Sequence, residues 1–357
     1  MNRLTFLFAL IAMTLAGCHR PDPDVVTLTY ASPYPPGHPF SQADQVWMDW
    51  VQARAHGKLK IKVFWGGSLL SSDESMEEIR HGVADIGLIT PIYTLGGAHA
   101  QRAQPAFYAG VQTIDQQVEL YKCLAQQFPA LRHELKGLHV LAVQGGNFPG
   151  LITRDKPVRS LSDLKGMRIR APSENLGVLR ALGADPVNMS MNDVYPALAK
   201  GVIDGVIAPA DTLKSLHFAE VTRYFTELRV SRGSYPARAM NEQRWESLPP
   251  DIRDILNSGE KVWEAALKTK LAAAEQDGIT FGRTHGVTFI PFPPAGQQRF
   301  DALFNREAQA TARQLSKFDI DGMPIFTEAQ RLIHQTPPGQ KLKCPAISGG
   351  QRDTENE

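Results

Sequence analysis

Cysteine is scarce in this 357-residue sequence, and neither sign of charge dominates it. The three cysteines, Cys18, Cys123 and Cys344, show no CxxC spacing and no clustered histidines beside them, which argues against a metal site. The formal net charge is only +1, so no strong basic field attracts phosphates and we expect no nucleic-acid partner. Hydrophobic content of 43% and charged content of 21% are typical of an ordinary globular protein.

The sequence also lacks the short motifs of common catalytic sites. It contains no Gly-x-Ser-x-Gly elbow, no His-Glu-x-x-His, no phosphate-binding Gly-x-x-x-x-Gly-Lys and no Gly-x-Gly-x-x-Gly that opens a helix. The ten histidines are scattered, and His38, His81 and His217 fall in predicted loops or at helix ends, which indicates surface positions. We therefore expect no enzyme, no cofactor and no metal.

The one long apolar run lies at the N-terminus. A basic start at Asn2-Arg3 precedes apolar residues 4–15, a run of signal-peptide length that is short for a membrane helix. The run ends in Leu15-Ala16-Gly17-Cys18, which resembles a bacterial lipobox, although an ordinary signal peptide with an incidental cysteine stays open. We predict a lipoprotein signal peptide over 1–17, lipidation of Cys18, a linker over 18–24, and a periplasmic protein anchored to the inner or outer membrane.

The remaining 340 or so residues are too many for one simple domain and suit two lobes. Residues 25–89 alternate β-branched apolar runs with helical patterns in the order β-α-β-α-β, which is typical of an α/β lobe. Residues 138–216 repeat that alternation. From 251 to about 278 the pattern predicts one long helix with Gly259 as its weak point. At about 1.5 Å per residue this helix is long enough to bridge both lobes.

The fold prediction is therefore an α/β, two-lobed, periplasmic-binding-protein-like fold of type II character, with mixed sheets flanked by helices. We assign residues 25–147 and about 236–276 to lobe I, and about 148–235 and 277–330 to lobe II. The segment 336–357 is rich in proline, glycine and charge and is expected to be disordered. Because Cys123 lies in a helical pattern and Cys344 in this tail, the sequence leaves their pairing open and favours unpaired cysteines.

The part of the sequence that most specifically resembles a known protein family lies within residues 161–209. The run Asp163-Leu164-Lys165-Gly166-Met167-Arg168-Ile169-Arg170-Ala171-Pro172 resembles the signature of DctP-type solute-binding proteins of tripartite ATP-independent periplasmic (TRAP) transporters. The order and spacing of that family continue in Leu182-Gly183-Ala184, Asp193-Val194-Tyr195-Pro196-Ala197-Leu198 and Gly201-Val202-Ile203-Asp204-Gly205. Segments around 67–85 and 240–249 are similar as well, so the resemblance covers about residues 25–330.

The resemblance implies a two-lobed protein that closes on its ligand, and an arginine at the position of Arg170 that pairs with a substrate carboxylate. The residues themselves favour the same role, because Arg170 ends a predicted strand, where α/β sheets place ligands. A guanidinium also offers a two-pronged donor set to a carboxylate. The alternatives are a solvated arginine or one paired with Asp73 or Glu74. Arg168, on the same strand, is expected to be solvated.

Positions that resemble the family's ligand-contacting residues offer hydroxyls and apolar surface around that single charge. They are Ser32, Thr90, Met191, Ala208 and Tyr235. Many family members carry an asparagine where this chain has Ala208, and sialic-acid-binding members have a second arginine near the position of Gly150. Both departures disfavour a sugar acid, and the set suits a monocarboxylate with an apolar or aromatic body better than a compact dicarboxylate.

The predicted function is capture of a small organic acid in a cleft between the lobes and its delivery to the small and large TRAP membrane subunits. We expect a monomer. A ligand-sensing protein that docks on a receptor or sensor kinase would use the same fold and cleft, so the sequence leaves that alternative open.

Overall fold

The computed structural model describes residues 25–337 and 339–345. Its strands form two separate sheets, each flanked by helices. The predicted signal peptide, the lipidation of Cys18 and the linker lie outside the described residues. Within the described ranges, no helix combines the length and the apolar content that crossing a bilayer requires.

The first sheet has the strand order β2-β1-β3-β10-β4. Strand β1 pairs in parallel with β2 and β3, whereas β10 runs antiparallel between β3 and β4. Buried residues such as Leu28 and Tyr30 place the centre of β1 in the core. The strands of this sheet are β1 (Val26–Ala31), β2 (Leu59–Phe64), β3 (Ile86–Leu88), β4 (Leu138–Gln144) and β10 (Tyr235–Asn241).

The second sheet has the order β11-β9-β5-β8-β6-β7. Strand β6 is parallel to β7 and β8, and β5 runs antiparallel between β8 and β9. The strands are β5 (Gly150–Thr153), β6 (Arg168–Arg170), β7 (Asp185–Val187), β8 (Gly205–Ala208), β9 (Tyr224–Thr226) and β11 (Thr288–Ile290). Each sheet is mixed because it contains one antiparallel strand. The chain crosses from β4 of the first sheet to β5, which is antiparallel in the second, and from β9 of the second sheet to β10, which is antiparallel in the first.

Helices cover both faces of the sheets. In chain order they are α1 (Pro39–Arg54), α2 (Ser75–Arg80), α3 (His99–Ala103), α4 (Ile114–Gln127), α5 (Pro129–His133), α6 (Leu176–Ala181), α7 (Val194–Ala199), α8 (Thr212–Ser215), α9 (Glu242–Glu246), α10 (Pro250–Ser258), α11 (Glu260–Thr284), α12 (Pro294–Gln314) and α13 (Gly322–Gln335). Short 3-10 turns cover Pro91–Tyr93, Gln104–Tyr108, Leu161–Leu164, Ser173–Asn175, Met191–Asp193, Phe218–Glu220 and Leu315–Phe318.

The predicted long helix is interrupted at Gly259, which separates α10 from α11. The indole of Trp47 packs against this glycine, and a Cβ at position 259 would lie only 2.9 Å from Cδ1 of Trp47. Beyond the break, α11 extends to Thr284 and is about 37 Å long at about 1.5 Å per residue. The helix is bound on both sides, since Glu264 pairs with Lys122 at 2.6 Å and Asp277 pairs with Lys214 at 2.8 Å. It therefore bridges the two lobes, as predicted.

The C-terminal region packs differently from the expectation. Helix α13, predicted to belong to lobe II, buries Ile325 and Leu332 in a cluster with residues of α3 and α4, on the side of the first sheet. Cys344 forms a disulfide with Cys123 of α4, with the two Cα atoms 5.1 Å apart. Leu342 is also buried. The sequence favoured unpaired cysteines and a disordered segment from 336 onward. Both expectations were wrong for residues 336–337 and 339–345, and residues 338 and 346–357 lie outside the described residues.

Candidate functional site

A cleft opens between the two sheets, where the chain crosses from one to the other. It encloses about 710 Å³ of empty space, part of it open to solvent. Tyr34, Phe40 and Tyr93 reach it from the side of the first sheet, and Arg170 and Met191 reach it from the side of the second. Both lobes contribute to its lining, as is common for small-molecule sites between domains.

Arg170 is the last residue of β6 and one of the largest buried side chains, with 1% of its surface exposed. Its Nε and Nη2 donate to the carbonyl oxygen of Met189 at 3.0 Å, and Nη2 also donates to the hydroxyl of Tyr93 at 2.7 Å. No carboxylate within the described residues pairs with it, so neither Asp73 nor Glu74 does, and its Nη1 has no protein partner there. The buried guanidinium of Arg170 therefore keeps a free N–H donor that can bind an anion in the cleft.

Arg168, two residues earlier, does not line the cleft. Its side chain is 52% exposed and lies 3.4 Å from the carboxylate of Asp185. The two arginines of β6 therefore occupy different environments, one solvated and one in the cleft.

Two of the predicted contact residues line the cleft together with Arg170. Met191 begins a 3-10 turn after β7, and Tyr235 opens β10. The hydroxyl of Tyr235 accepts a hydrogen bond from Nε2 of Gln144 at 3.0 Å, and Oε1 of Gln144 accepts from Nη1 of Arg238 at 3.1 Å. Arg238 in turn forms a buried ion pair with Asp44 at 2.6 Å. This chain of contacts fixes the ring of Tyr235 at the cleft.

Three predicted contact residues do not line the cleft. Ser32 Oγ accepts the backbone N–H of Tyr34 at 3.2 Å, and Thr90 donates to the carbonyl oxygen of Ser72. Ala208 is buried in the core, whereas the residues on either side of it in the chain reach the cleft. Each of these three lies within two residues of one that does line the cleft.

The aromatic wall of the cleft was not predicted. The ring of His38 stacks on Tyr34 with centroids 4.2 Å apart, and Phe40 packs edge-on against both. His38 was expected at the surface, but it is only 3% exposed and burial lowers its pKa to about 3. The imidazole is therefore neutral at physiological pH, and its Nδ1 accepts the N–H of Phe40 at 3.2 Å. The proline-rich loop before α1 was the only sequence signal for this wall.

Charged side chains that the sequence reading missed also line the cleft. They are Arg232, Glu174 and Asp211. Burial raises the pKa of both carboxyl groups, and the nearby positive charge of Arg232 partly opposes that rise in each. Oε2 of Glu174 is buried and has no hydrogen-bond partner among the described residues. The cleft thus combines two guanidinium groups, two carboxyl groups with raised pKa values and an aromatic wall.

Direct hydrogen bonds join the two lobes across the cleft. Besides the Arg170–Tyr93 contact, Ser173 Oγ donates to the carbonyl oxygen of Ile92 at 2.8 Å. At the opposite end, Nδ2 of Asn192 donates to the carbonyl oxygen of Pro33 at 3.1 Å. These contacts hold the lobes close together. Within the described ranges, no group of three or more histidine, cysteine or acidic residues is arranged to hold a metal ion.

Comparison with known proteins gives a consistent result. The family model for bacterial extracellular solute-binding proteins of family 7 (DctP) matches residues 30–314. A curated solute-binding protein of Albidiferax ferrireducens is 27% identical over 237 residues, which cover 64% of this chain and 67% of that protein. The C4-dicarboxylate-binding protein DctB of Bacillus subtilis is 27% identical over 236 residues, 62% of this chain and 64% of DctB, slightly less than two thirds of its length.

Among solved structures, a TRAP solute-binding protein of Rhodoferax ferrireducens T118 in complex with copurified benzoate matches with a TM-score of 0.78. The two chains are 26% identical, and the match covers 87% of this chain and 98% of that one. The two-lobed fold and the resemblance to DctP-type proteins are thereby confirmed. Since the family model spans most of the sequence, this chain belongs to the family 7 bacterial extracellular solute-binding proteins, the DctP-type binding proteins of TRAP transporters.

Proposed function

We propose that this protein captures a small organic acid in the cleft between its lobes, binds the carboxylate at Arg170, and delivers it to TRAP membrane subunits. The observation that supports this proposal most strongly is the environment of Arg170. Its guanidinium is buried at the cleft, has no acidic partner among the described residues, and keeps Nη1 free. A buried charge without a direct ion pair is costly, and a ligand carboxylate would form that pair.

The lining of the cleft favours an acid with an apolar or aromatic body. Tyr34, Phe40 and Tyr93 present rings to the cleft, and Ile92 and Leu271 add aliphatic surface. Such surfaces bind an aryl or alkyl group by excluding water, whereas a sugar acid would need many more polar partners. The benzoate found with the Rhodoferax protein supports the same class of ligand, since that protein is 26% identical to this one.

Closure of the lobes completes the proposed mechanism. The contacts of Arg170, Ser173 and Asn192 join the two sides of the cleft, so a ligand that binds both sides shifts the population toward the closed form. The closed protein would then dock on the membrane subunits as a monomer. In this proposal Cys18 carries the lipid that holds the protein at the periplasmic face of a membrane, because it directly follows the apolar run and Ala16-Gly17.

A thermal-shift screen tests the capture of an acid. Residues 19–357, which retain every described residue, are freed of bound ligand and melted with aromatic acids, keto acids, dicarboxylates, sugar acids and amino acids. A ligand at about 1,000 times its dissociation constant adds about 4 kcal/mol of stability. We expect clear shifts confined to monocarboxylates with apolar or aromatic bodies. Ligand-free protein that responds to no acid would contradict the proposal.

A further inference from the structure

A second arginine reaches the cleft from the segment that connects the two sheets. Arg232 lies in residues 227–234, between β9 and β10, and lines the cleft together with Arg170. Its positive charge lowers the pKa of His38 and of the Glu174 and Asp211 carboxyl groups, although burial is the larger influence on each. Groups of both lobes therefore lie close enough to this guanidinium to experience its charge.

The backbone is shaped to accept this guanidinium. Gly146 lies in the other connecting segment, between β4 and β5, and a Cβ at that position would be 2.6 Å from Nε of Arg232 and closer still to its Cζ. Any larger residue at 146 would displace the guanidinium. Arg232 is thus held flat against a buried glycine rather than extended freely into solvent.

Most of the donors of Arg232 are unused. Its one hydrogen bond to the described residues runs from Nη1 to the carbonyl oxygen of Asn147, at the long distance of 3.3 Å. Neither Glu174 nor Asp211 forms an ion pair with it, and Asp211 instead accepts Nδ2 of Asn147 at 3.2 Å. Guanidinium has five N–H donors in a planar fork, so most of them remain available at the cleft.

We propose that Arg232 is a second ligand-binding residue, and that the ligand carries a hydroxyl or carbonyl oxygen in addition to the carboxylate at Arg170. This inference rests on the proposed function. Arg170 keeps only Nη1 free, since its Nε and Nη2 already donate to Met189 and Tyr93. Arg232 keeps most of its donors, so a ligand that carries a second oxygen group beside the carboxylate can engage both guanidinium groups. The apolar body of the acid then lies between them, against the aromatic wall. The substrate class becomes aromatic or apolar hydroxy and keto acids.

Contact with Arg232 would also link the ligand to the hinge. Arg232 and its partner Asn147 belong to the two segments that connect the sheets, and Asn147 donates as well to the carbonyl oxygen of Leu271 in α11. The two segments that connect the sheets therefore meet helix α11 beside this arginine. A ligand oxygen bound there contacts the part of the protein where the lobes pivot.

Isothermal titration with matched acids tests the proposal on the same soluble chain. The probes are phenylacetate, mandelate and phenylglyoxylate, and benzoate with 3- and 4-hydroxybenzoate. For the wild type we expect at least one oxygen-bearing acid to bind about 10-fold or more tightly than its parent, the effect of a charged hydrogen bond. Arg232→Gln should reduce that ratio below about 2-fold, and Arg232→Lys should give an intermediate ratio.

Arg229→Gln is the matched control. Arg229 lies in the same connecting segment, but it is exposed, stacks on Phe148 and donates to the carbonyl oxygen of Gln112, outside the cleft. This variant should keep the wild-type ratio. The proposal is overturned if the wild type prefers no oxygen-bearing acid, or if Arg232→Gln keeps the preference. Failure of the proposed function is recognised separately, because then no acid binds to the wild type at all.

Discussion

Replacing Glu275 with glutamine should remove a loss of stability that the wild-type protein shows as the pH rises from about 4.5 to about 7. Glu275 lies on α11, where Oε2 accepts the backbone N–H of Asp211 at 3.4 Å. Burial, followed by the adjacent carboxylate of Asp211, raises the pKa of Glu275 from 4.5 to about 7. The folded protein therefore binds a proton at this site more tightly than the unfolded chain does.

The sign and size of the effect follow from linkage. A carboxyl group with a raised folded-state pKa contributes its full stability below the unfolded pKa, and that contribution is lost as the pH rises through the folded pKa. A pKa that moves from 4.5 to about 7 corresponds to at most about 3 kcal/mol. Glu275 is only partly buried, so solvent screens the interaction and we expect about 1–3 kcal/mol.

Chemical denaturation between pH 4.5 and 8.5 measures this effect. We expect Glu275→Gln to match the wild type near pH 4.5 and to exceed its free energy of unfolding above pH 7. Asp277→Asn controls for the loss of one negative charge on the same helix, since Asp277 is exposed and pairs with Lys214. Parallel pH profiles of the wild type and Glu275→Gln would refute the reasoning.

Two further predictions concern the disulfide and one of the hydrogen bonds between the lobes. Cys344→Ser removes a disulfide to Cys123 that spans 221 residues. The free energy of unfolding in denaturant titrations should therefore fall by about 2–5 kcal/mol. An unchanged midpoint would show that the disulfide does not form. Asn192→Ala removes the hydrogen bond to the carbonyl oxygen of Pro33. It should weaken acid binding by about 0.5–1.5 kcal/mol and increase the radius of gyration measured by solution scattering. An affinity equal to that of the wild type would show that this contact has no part in closure.

Much of the fold was readable from the sequence because its strands are strongly patterned. The segments around Val26–Ala31, Leu59–Phe64 and Leu138–Gln144 appear where β-branched and apolar runs predicted them. Strands β5 and β11, of four and three residues, were missed. Both are held by pairing with neighbours that are distant in sequence.

The site was predicted only in part. Arg170 was identified because it ends a strand within a motif, and the structure places it at the cleft. Arg232 carries no such signal, since it lies in an irregular segment with other arginines and only its packing against Gly146 distinguishes it. His38 was assigned to the surface because it falls in a predicted loop. Its burial depends on stacking with Tyr34, which follows from the path of the loop and not from any periodic pattern in the sequence.

The affinity of the Arg170→Ala variant for the acid identified in the screen tests the central claim most directly. Arg168→Ala is the control, because it removes the same charge from the same strand outside the cleft. We predict a loss of about 2 kcal/mol or more for Arg170→Ala, roughly 30-fold in dissociation constant, with Arg168→Ala unchanged. A folded Arg170→Ala protein that binds the acid within about 2-fold of the wild type would contradict the account.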